Sequence, residues 1–404
     1  MRRRTSHLMS MSAPKRHTYT VGGEPQTPSP LPEPSRRNRL GWGGKLSLTI
    51  LVFLLALTWL SKGLTLLGAS TVTDLLGETL NPFLGLFIGI LTTAIIQSSS
   101  AITTIMVGLV ASGSVGLAPA IPIIMGANIG TSVTSMIVAL GLISQRKEFG
   151  HGVSTAALHG LFNIFMGIIL IPIEITTQAL SLTADALAAW LYGLVGGVSP
   201  STGILETIAQ QLSSPLVEAS ASAQFPAGNP YLFIGIGLIA LVVSLRVLIR
   251  LFEGRVAAQV RYRMNRYLFG HPRQAFLTGL VTTSVLQSSS VTTSLVVPLA
   301  AQTRLALPRV FAYLIGTNIG TTITALVAAV VLGASSEVAL ALAFVHLLIN
   351  CLGAILLYPI PTIRKIPIVI ATTLGKVSRD NRVIPVIYLV LIYFLLPGIL
   401  VLIL

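Results

Sequence analysis

Long stretches without a charged residue are the feature that most restricts how this chain can fold. Several of these runs exceed the roughly 20 residues that a helix needs to cross a bilayer. Charged residues make up only 9% of the 404 residues, whereas soluble domains carry about 25%. The pattern therefore predicts an all-α polytopic membrane protein and excludes a cytosolic enzyme, a nucleic-acid-binding protein and a disordered chain. The apolar runs lie near residues 46–67, 83–111, 119–143, 152–173, 231–252, 274–302, 310–332, 338–360 and 383–404.

The positions of the basic residues orient the predicted helices. The net charge is +14, and Lys and Arg cluster in the N-terminal tail and in segments 145–148, 246–273, 304–309 and 364–382. Cytoplasmic loops of membrane proteins carry the excess of Lys and Arg. Placing these segments in the cytoplasm leaves Lys62 as the one basic residue outside. We therefore expect a multi-pass protein of the cell (inner) membrane, with a cytoplasmic N-terminus and an outer C-terminus.

The chain contains one pair of motifs twice. Every residue of the second copy lies 190 positions after its counterpart in the first, and a His-x-x-x-Asn motif also recurs, at an offset of 187. The first Gln-Ser-Ser-Ser run is flanked by segments assigned outside, and the second by segments assigned inside. The charge map therefore predicts two inverted-topology repeats, each with a re-entrant helical hairpin carrying Gln-Ser-Ser-Ser, as in secondary transporters. The copies are Gln97-Ser98-Ser99-Ser100 with Asn128-Ile129-Gly130-Thr131, Gln287-Ser288-Ser289-Ser290 with Asn318-Ile319-Gly320-Thr321, and His159…Asn163 with His346…Asn350.

These assignments divide the chain into six segments. The first is rich in Pro and Ser and has no apolar core of the signal-peptide type. In the fourth, the apolar piece 186–198 either spans the membrane or lies at its interface, and the pattern leaves both open. The segments are a disordered basic cytoplasmic tail (1–41), the first transmembrane helix and an outer loop (42–82), transport repeat 1 (83–173), an outer linker, a transmembrane helix and a basic cytoplasmic loop (174–272), transport repeat 2 (273–362), and a cytoplasmic loop with the C-terminal transmembrane helix (363–404).

The two serine runs predict a binding site. A buried hydroxyl without a partner costs a few kcal/mol. One isolated serine is better explained by a hydrogen bond between helices, but two paired serine runs are not. A broken helix exposes N–H groups and its positive dipole end, which suit an anion, while the Gln97 and Gln287 oxygens suit a small hard cation such as sodium. Neither block contains an Asp, Glu, Lys or Arg. The residues thus predict an anion held by neutral donors and a co-bound cation. Flanking hydroxyl donors are Thr103, Thr104, Thr292 and Thr293.

Two further polar motifs accompany the serine runs. The Asn-Ile-Gly-Thr segments are predicted to be second helix breaks facing the first, because glycine permits backbone that a helix forbids and the Asn amide both donates and accepts. Within each His-x-x-x-Asn motif, the His and the Asn lie on the same face of a helix. They serve either as structural hydrogen bonds between the repeats or as ligands. Zinc binding is not expected, because neither pair has a nearby Cys or carboxylate.

The motifs resemble the type II sodium-dependent phosphate cotransporter family. The two Gln-Ser-Ser-Ser runs, residues 121–134, residues 316–324 and the His159…Asn163 segment carry the resemblance, which covers about residues 84–360. It implies sodium-coupled symport of inorganic phosphate by alternating access, with sodium as co-substrate, no other cofactor and no enzymatic activity. Animal members have a large glycosylated, disulfide-bearing outer loop. Residues 174–230 are short and contain no Cys, so we expect a bacterial-type member.

The resemblance also implies roles for individual residues. Gly160 stands where electrogenic members carry an Asp tied to an additional sodium, so it is the position that sets ion coupling. With glycine there, the implied cycle moves two sodium ions with one divalent phosphate and no net charge. The implied phosphate site is Gln97, Ser98, Ser99, Ser100, Ser288, Ser289 and Ser290; the sodium site is Gln287, Ser288, Thr321 and Thr324; supporting residues are Asn128, Thr131, Asn318, Asn163 and Asn350.

Two alternatives to phosphate symport remain at this stage. Another oxyanion, sulfate or a dicarboxylate, would suit the same neutral donors. An intramembrane lipid-phosphate phosphatase would need a general acid or base and usually a metal held by carboxylates, which the hairpins do not offer. We expect membrane lipid around the protein and no nucleic-acid partner, and a homodimer is compatible with the sequence.

Overall fold

The computed structural model describes residues 81–195, 231–240, 271–332 and 337–404, with scattered positions between 44 and 63 and between 243 and 247. The described residues are mostly helical. The predicted tail, most of the first transmembrane helix with its outer loop, and most of the linker between the repeats lie outside the described residues.

The helices follow the two sequence repeats. The first repeat and the segment after it comprise α1 (Pro82–Ile96), α2 (Ser99–Ala111), α3 (Leu117–Gly130), α4 (Ser132–Leu140), α5 (Arg146–Thr177) and α6 (Ala179–Val195). The second repeat comprises α7 (Pro272–Leu286), α8 (Ser289–Thr303), α9 (Leu307–Leu332) and α10 (Glu337–Leu357). It is followed by α11 (Pro361–Asp380), α12 (Ile384–Val390), a π-helical turn (Leu391–Leu395) and α13 (Leu396–Ile403). A further apolar helix covers Tyr231–Ala240.

Within the described ranges, five helical stretches are long and apolar enough to cross a membrane. They confirm the prediction of an all-α, multi-pass membrane protein. The stretches are Leu117–Leu140, Glu148–Thr177, Leu307–Val330, Glu337–Leu357 and Ile384–Ile403.

Glycines bring α1 against α3, and α7 against α9, at backbone contact. A Cβ atom on Gly126 would lie 2.0 Å from the Leu86 carbonyl oxygen, and one on Gly316 would lie 2.1 Å from that of Phe276. Such distances leave no room for a side chain. The same close pairing in both repeats fixes how each Gln-Ser-Ser-Ser segment is placed against its Asn-bearing helix.

The prediction of second helix breaks at the Asn-Ile-Gly-Thr segments is wrong. In the second repeat, α9 runs without interruption through Asn318 and Thr321. In the first, Thr131 separates α3 from α4, but its φ of −57° and ψ of −27° are helical values. The physical reason is that Gly130 and Gly320 serve close helix packing: an added Cβ would lie 2.7 Å from the Ile90 carbonyl oxygen and 2.6 Å from that of Leu280. Both threonine hydroxyls also donate to the carbonyl four residues earlier, at 2.9 and 3.0 Å.

Segment 363–382, predicted as part of a cytoplasmic loop, is helical throughout most of its length as α11. Proline occupies the first position of this helix, where its missing N–H costs nothing. Residues Pro367, Ala371, Gly375 and Ser378 recur at helical spacing and are buried. They pack against α5, so the connection between the last two membrane-spanning stretches is an ordered helix.

We predict that Gly126→Ala destabilises the protein by about 1–3 kcal/mol, the usual cost of overpacking. The new methyl group would meet a backbone oxygen, which cannot rotate away. Gly398→Ala is the matched control, because nothing lies within 4 Å of its added Cβ and alanine favours a helix over glycine. The midpoint of thermal unfolding in detergent measures the effect, and equal midpoints for both variants would contradict the packing argument.

Candidate functional site

The two Gln-Ser-Ser-Ser runs break their helices with the same backbone conformation. Gln97 and Gln287 end α1 and α7 in the left-handed region, with φ of 59° and 55°. Ser98 and Ser288 then adopt extended conformations, with φ of −150° and −149°. A positive φ is uncommon for a residue other than glycine, and such outliers cluster at functional sites.

The first serine of each run caps the helix that follows. The Ser98 hydroxyl accepts from the Ala101 N–H at 3.2 Å, and the Ser288 hydroxyl accepts from the Val291 N–H at 3.3 Å. These are N-caps, which satisfy one of the free N–H groups at a helix start.

The serines inside the helices keep their hydroxyls free. Ser99 and Ser289 are each 4% exposed, and Ser100 is also buried. Within the described part of the chain, the hydroxyls of these three residues make no hydrogen bond. They stand at the N-terminal ends of α2 and α8, where unpaired N–H groups and the helix dipole favour an anion.

Each glutamine is held by a threonine from the neighbouring helix. The Thr134 hydroxyl donates to Gln97 Oε1 at 2.7 Å, and the Thr324 hydroxyl donates to Gln287 Oε1 at 2.7 Å. The side-chain amides donate in turn to carbonyls of their own helices, those of Ala94 and Ser284. Thr324 was predicted from the sequence and Thr134 was not. Thr134 lies 190 positions before Thr324, so the repeat offset is the signal that would have found it.

The two repeats meet at this site. Thr134 Oγ1 of the first repeat lies 3.4 Å from Ser290 Oγ of the second. Helix α2 packs on α9, and α8 packs on α4 and α5, so each serine-bearing helix rests on the opposite repeat. In the described residues no hydrogen bond joins the two serine runs directly; Thr134 connects Gln97 to Ser290.

A buried network links the first His motif to the Asn of the second repeat. His159 Nε2 donates to Asn318 Oδ1 at 2.8 Å, because an amide oxygen can only accept. The proton of the neutral ring is therefore on Nε2, and the Ser135 hydroxyl donates to His159 Nδ1 at 3.0 Å. The Asn318 amide N–H donates to Asn163 Oδ1 at 2.7 Å. Both polar ends of the Asn318 side chain are therefore used inside the protein.

The reciprocal network links the second His motif to the first repeat. His346 Nε2 lies 2.9 Å from Asn128 Oδ1, and Asn163 donates to the Asn128 carbonyl oxygen at 2.9 Å. Asn350 donates to the His346 carbonyl oxygen at 2.8 Å. His159, Asn163 and His346 thus make hydrogen bonds between the repeats, which is one of the two roles that the sequence left open for the His-x-x-x-Asn motifs. Asn350 bonds within its own helix.

Gly160 lies under two tyrosines of the C-terminal membrane helix. A Cβ atom on Gly160 would lie 2.1 Å from the Tyr393 hydroxyl oxygen, 3.3 Å from Ser132 Cβ and 3.5 Å from the Tyr388 hydroxyl oxygen. The two tyrosine rings pack edge to face with centroids 6.0 Å apart. Neither tyrosine was predicted from the sequence. Their only signal was a polar hydroxyl in an otherwise apolar run.

Comparison with known proteins identifies the family of this chain. The profile of the Na+/Pi-cotransporter family matches residues 52–195 and 232–360, together more than half of the chain. The matched ranges include both Gln-Ser-Ser-Ser breaks and both His-x-x-x-Asn motifs.

Curated relatives match over most of the chain. Sodium-dependent phosphate transport protein 2A of Ovis aries is 30% identical over 86% of this chain and 65% of its own length. Protein 2B of Homo sapiens is 29% identical over 85% of this chain and 62% of its own length. Protein 2A of Oryctolagus cuniculus is 29% identical over 95% of this chain and 73% of its own length. The chain thus spans less than two thirds of several of these relatives, and no solved structure matches it. From the extent of the family match, the chain belongs to the Na+/Pi-cotransporter family.

Proposed function

We propose that this protein is a sodium-coupled symporter of inorganic phosphate. The observation that carries the proposal is the pair of equivalent helix breaks, each with unused serine hydroxyls at a helix N-terminus, at the contact between the repeats. Family membership supports the same substrate pair, because the matched relatives are named sodium-dependent phosphate transport proteins.

In the proposed phosphate site, serines 98–100 and 288–290 surround the anion with neutral donors. The Gln97 amide keeps one N–H beyond the one donated to Ala94, and that N–H is available to the ligand. Because no Lys or Arg is present in either run, the anion is held without a direct ion pair. A co-bound cation then supplies the balancing charge, which couples phosphate affinity to sodium.

In the proposed sodium site, oxygens of Gln287, Ser288, Thr321 and Thr324 surround the cation. Thr324 and Gln287 already lie at hydrogen-bond distance, 2.7 Å. Side-chain and carbonyl oxygens are the ligands that hard cations prefer. A cation there would stand at the left-handed end of α7, beside the first turn of α8.

We place the two repeats in the membrane with inverted topology, and each helix break at the tip of a re-entrant hairpin. Helices α1, α2, α7 and α8 have 15, 13, 15 and 15 residues, fewer than the roughly 20 that a helix needs to cross the bilayer. The distribution of basic residues supports opposite entry faces, a cytoplasmic N-terminus and insertion in the inner membrane. Rocking of the repeats about the shared site would give alternating access.

Radiolabelled phosphate uptake into proteoliposomes tests the proposed function. An inward sodium gradient is compared with an equal potassium gradient, with arsenate, sulfate and a dicarboxylate as competitors. Accumulation only with sodium, inhibited by arsenate and not by sulfate, is the expected result. Inhibition by sulfate or a dicarboxylate would assign the site to that oxyanion, and no sodium dependence would refute the symporter.

We predict that Thr324→Val raises the sodium concentration for half-maximal uptake about tenfold. Valine keeps the shape and removes an oxygen ligand together with the hydrogen bond to Gln287, a loss of one or more kcal/mol. Thr372→Val is the control, since that hydroxyl donates only within α11, to the Ile368 carbonyl oxygen at 2.6 Å. The sodium dependence of uptake at fixed phosphate measures both, and equal sodium dependence would remove Thr324 from the site.

We also predict that transport is electroneutral. Gly160 contributes no carboxylate, so no side chain at this position compensates an additional cation. In proteoliposomes adsorbed to a sensor membrane, sodium and phosphate jumps should evoke no current while labelled phosphate accumulates. A current that scales with uptake would contradict the prediction.

A further inference from the structure

Helix α11 divides its surface into three stripes. One stripe is buried against the protein and consists of Pro367, Ala371, Gly375 and Ser378. A Cβ atom on Gly375 would lie 2.2 Å from the Gly150 carbonyl oxygen, so this stripe touches α5 at backbone distance. The contact fixes the rotation of α11 about its axis and therefore determines where its other two stripes point.

The second stripe of α11 is apolar and uncovered. Ile366, Ile370 and Val377 recur at helical spacing and are 51%, 42% and 43% exposed. In a soluble protein such a row would face water at a cost of free energy. In a protein with membrane-spanning helices on either side of α11, acyl chains are the apolar medium available.

The third stripe is basic. Lys365, Lys376 and Arg379 lie on one face of the helix and are exposed. Asp380 is the one acidic residue of this helix. Its Oδ1 lies 3.7 Å from Arg379 Nε and 3.8 Å from Arg146 Nη2. Both lysines therefore keep their positive charge facing outward.

Both ends of α11 are held at the same side of the protein. Tyr358, just before the helix, donates to the Pro308 carbonyl oxygen at 3.1 Å. Asp380, its last residue, pairs with Arg146 at the start of α5. Pro308 and Arg146 lie in the first turns of α9 and α5, within the basic segments 304–309 and 145–148. Helix α11 therefore lies along the side of the protein that carries these segments rather than across the membrane.

From these features we propose that α11 is an in-plane helix that binds anionic phospholipid. Its apolar stripe inserts among acyl chains, and Lys365 and Lys376 bind the phosphate-bearing headgroups. Basic residues near an anionic surface contribute attraction that neutral lipids do not match, and an amphipathic helix with Lys on its polar side is typical of interfacial helices. The pairing of an exposed apolar row with a basic row is what distinguishes a lipid surface from a second copy of the chain as the occupant.

A quenching experiment on the full chain tests this proposal. Cys351, the one native cysteine, is replaced by serine, and a fluorophore is attached at Ile370→Cys. The protein is reconstituted into vesicles of phosphatidylcholine and phosphatidylglycerol at a 3:1 ratio, with brominated acyl chains on one lipid or the other. We expect quenching by both lipids, with a preference for phosphatidylglycerol of roughly fivefold per molecule.

Charge variants separate the headgroup contact from simple burial in lipid. Lys365→Gln with Lys376→Gln should abolish the preference and leave quenching by both lipids. Arg273→Gln with Arg304→Gln removes the same charge from exposed residues off α11 and should keep the preference. Absence of quenching, equal quenching by both lipids in the native sequence, or equal effects of the two double variants would overturn the proposal. Self-quenching between labelled copies would overturn it in favour of a dimer contact.

Discussion

Alanine in place of Ser99 or Ser289 is expected to raise the phosphate concentration that half-saturates sodium-driven uptake by about tenfold or more. Each residue is 4% exposed, and its hydroxyl makes no hydrogen bond to the described residues. The hydroxyl is therefore free to donate to a phosphate oxygen. Losing one buried hydrogen bond to a charged group costs roughly 1.5–3 kcal/mol, and about 1.4 kcal/mol corresponds to a tenfold change in affinity.

Ser378→Ala is the matched control for these two variants. Ser378 is fully buried, like the site serines, but its hydroxyl donates to the Leu374 carbonyl oxygen at 2.6 Å within α11. Its half-saturation should equal that of the native protein. Because the two breaks have the same geometry, Ser99→Ala and Ser289→Ala should act in the same direction. Unchanged half-saturation in both would contradict the assigned phosphate site.

The sequence repeat predicted the matching geometry of the two helix breaks because equal local sequences in equal surroundings adopt equal conformations. Gln97 and Gln287 were paired by their offset, and their φ values differ by only a few degrees. Thr134 and Thr324 are also 190 positions apart. The bond from Thr134 to Gln97 is therefore the first-repeat counterpart of the bond from Thr324 to Gln287. What the offset could not give is the contact of Thr134 with Ser290, because this contact crosses from one repeat to the other.

The glycines show why a motif alone does not determine backbone geometry. Glycine permits a break, but it also permits two helices to touch, and the sequence does not distinguish these uses. The deciding atoms are the carbonyl oxygens of Ile90 and Leu280, which lie about 40 residues earlier in the chain than the glycines they touch. Only the tertiary structure shows that Gly130 and Gly320 are packing residues rather than helix breaks.

The sequence predicted that the C-terminal helix spans the membrane, but not that two of its tyrosine hydroxyls lie against Gly160. The π-helical turn at Leu391–Leu395 shifts the phase of the helix. Tyr388 and Tyr393 are five residues apart, which is about 140° around a regular helix, yet the hydroxyls of both lie near Gly160. A regular 3.6-residue period read from the sequence does not anticipate such a shift, which occurs often at functional sites.

Gly160→Ala is expected to lower sodium-driven uptake at least tenfold and to reduce thermal stability. The new methyl group would lie 2.1 Å from the Tyr393 hydroxyl oxygen, and Tyr393 is enclosed, so α5 and the C-terminal helix must separate. Overpacking of this kind costs about 1–3 kcal/mol. Gly167→Ala is the control on the same helix, because the nearest atom to its added Cβ is Ile129 Cδ1 at 3.3 Å, the end of a flexible side chain.

Tyr393→Phe in the Gly160→Ala background should restore most of the uptake and stability, because it removes the atom that the methyl group meets. Gly160→Asp, by contrast, should lose uptake rather than gain a phosphate-evoked current, since the Tyr393 hydroxyl stands where the side chain would begin. Uptake per folded protein and the unfolding midpoint measure all three variants. If Gly160→Ala transports normally, or Tyr393→Phe gives no rescue, the contact does not limit this position. Rescue would mean that the side chain tolerated at position 160 depends on the C-terminal helix as well as on α5, so that an aspartate there requires a matching change at Tyr393.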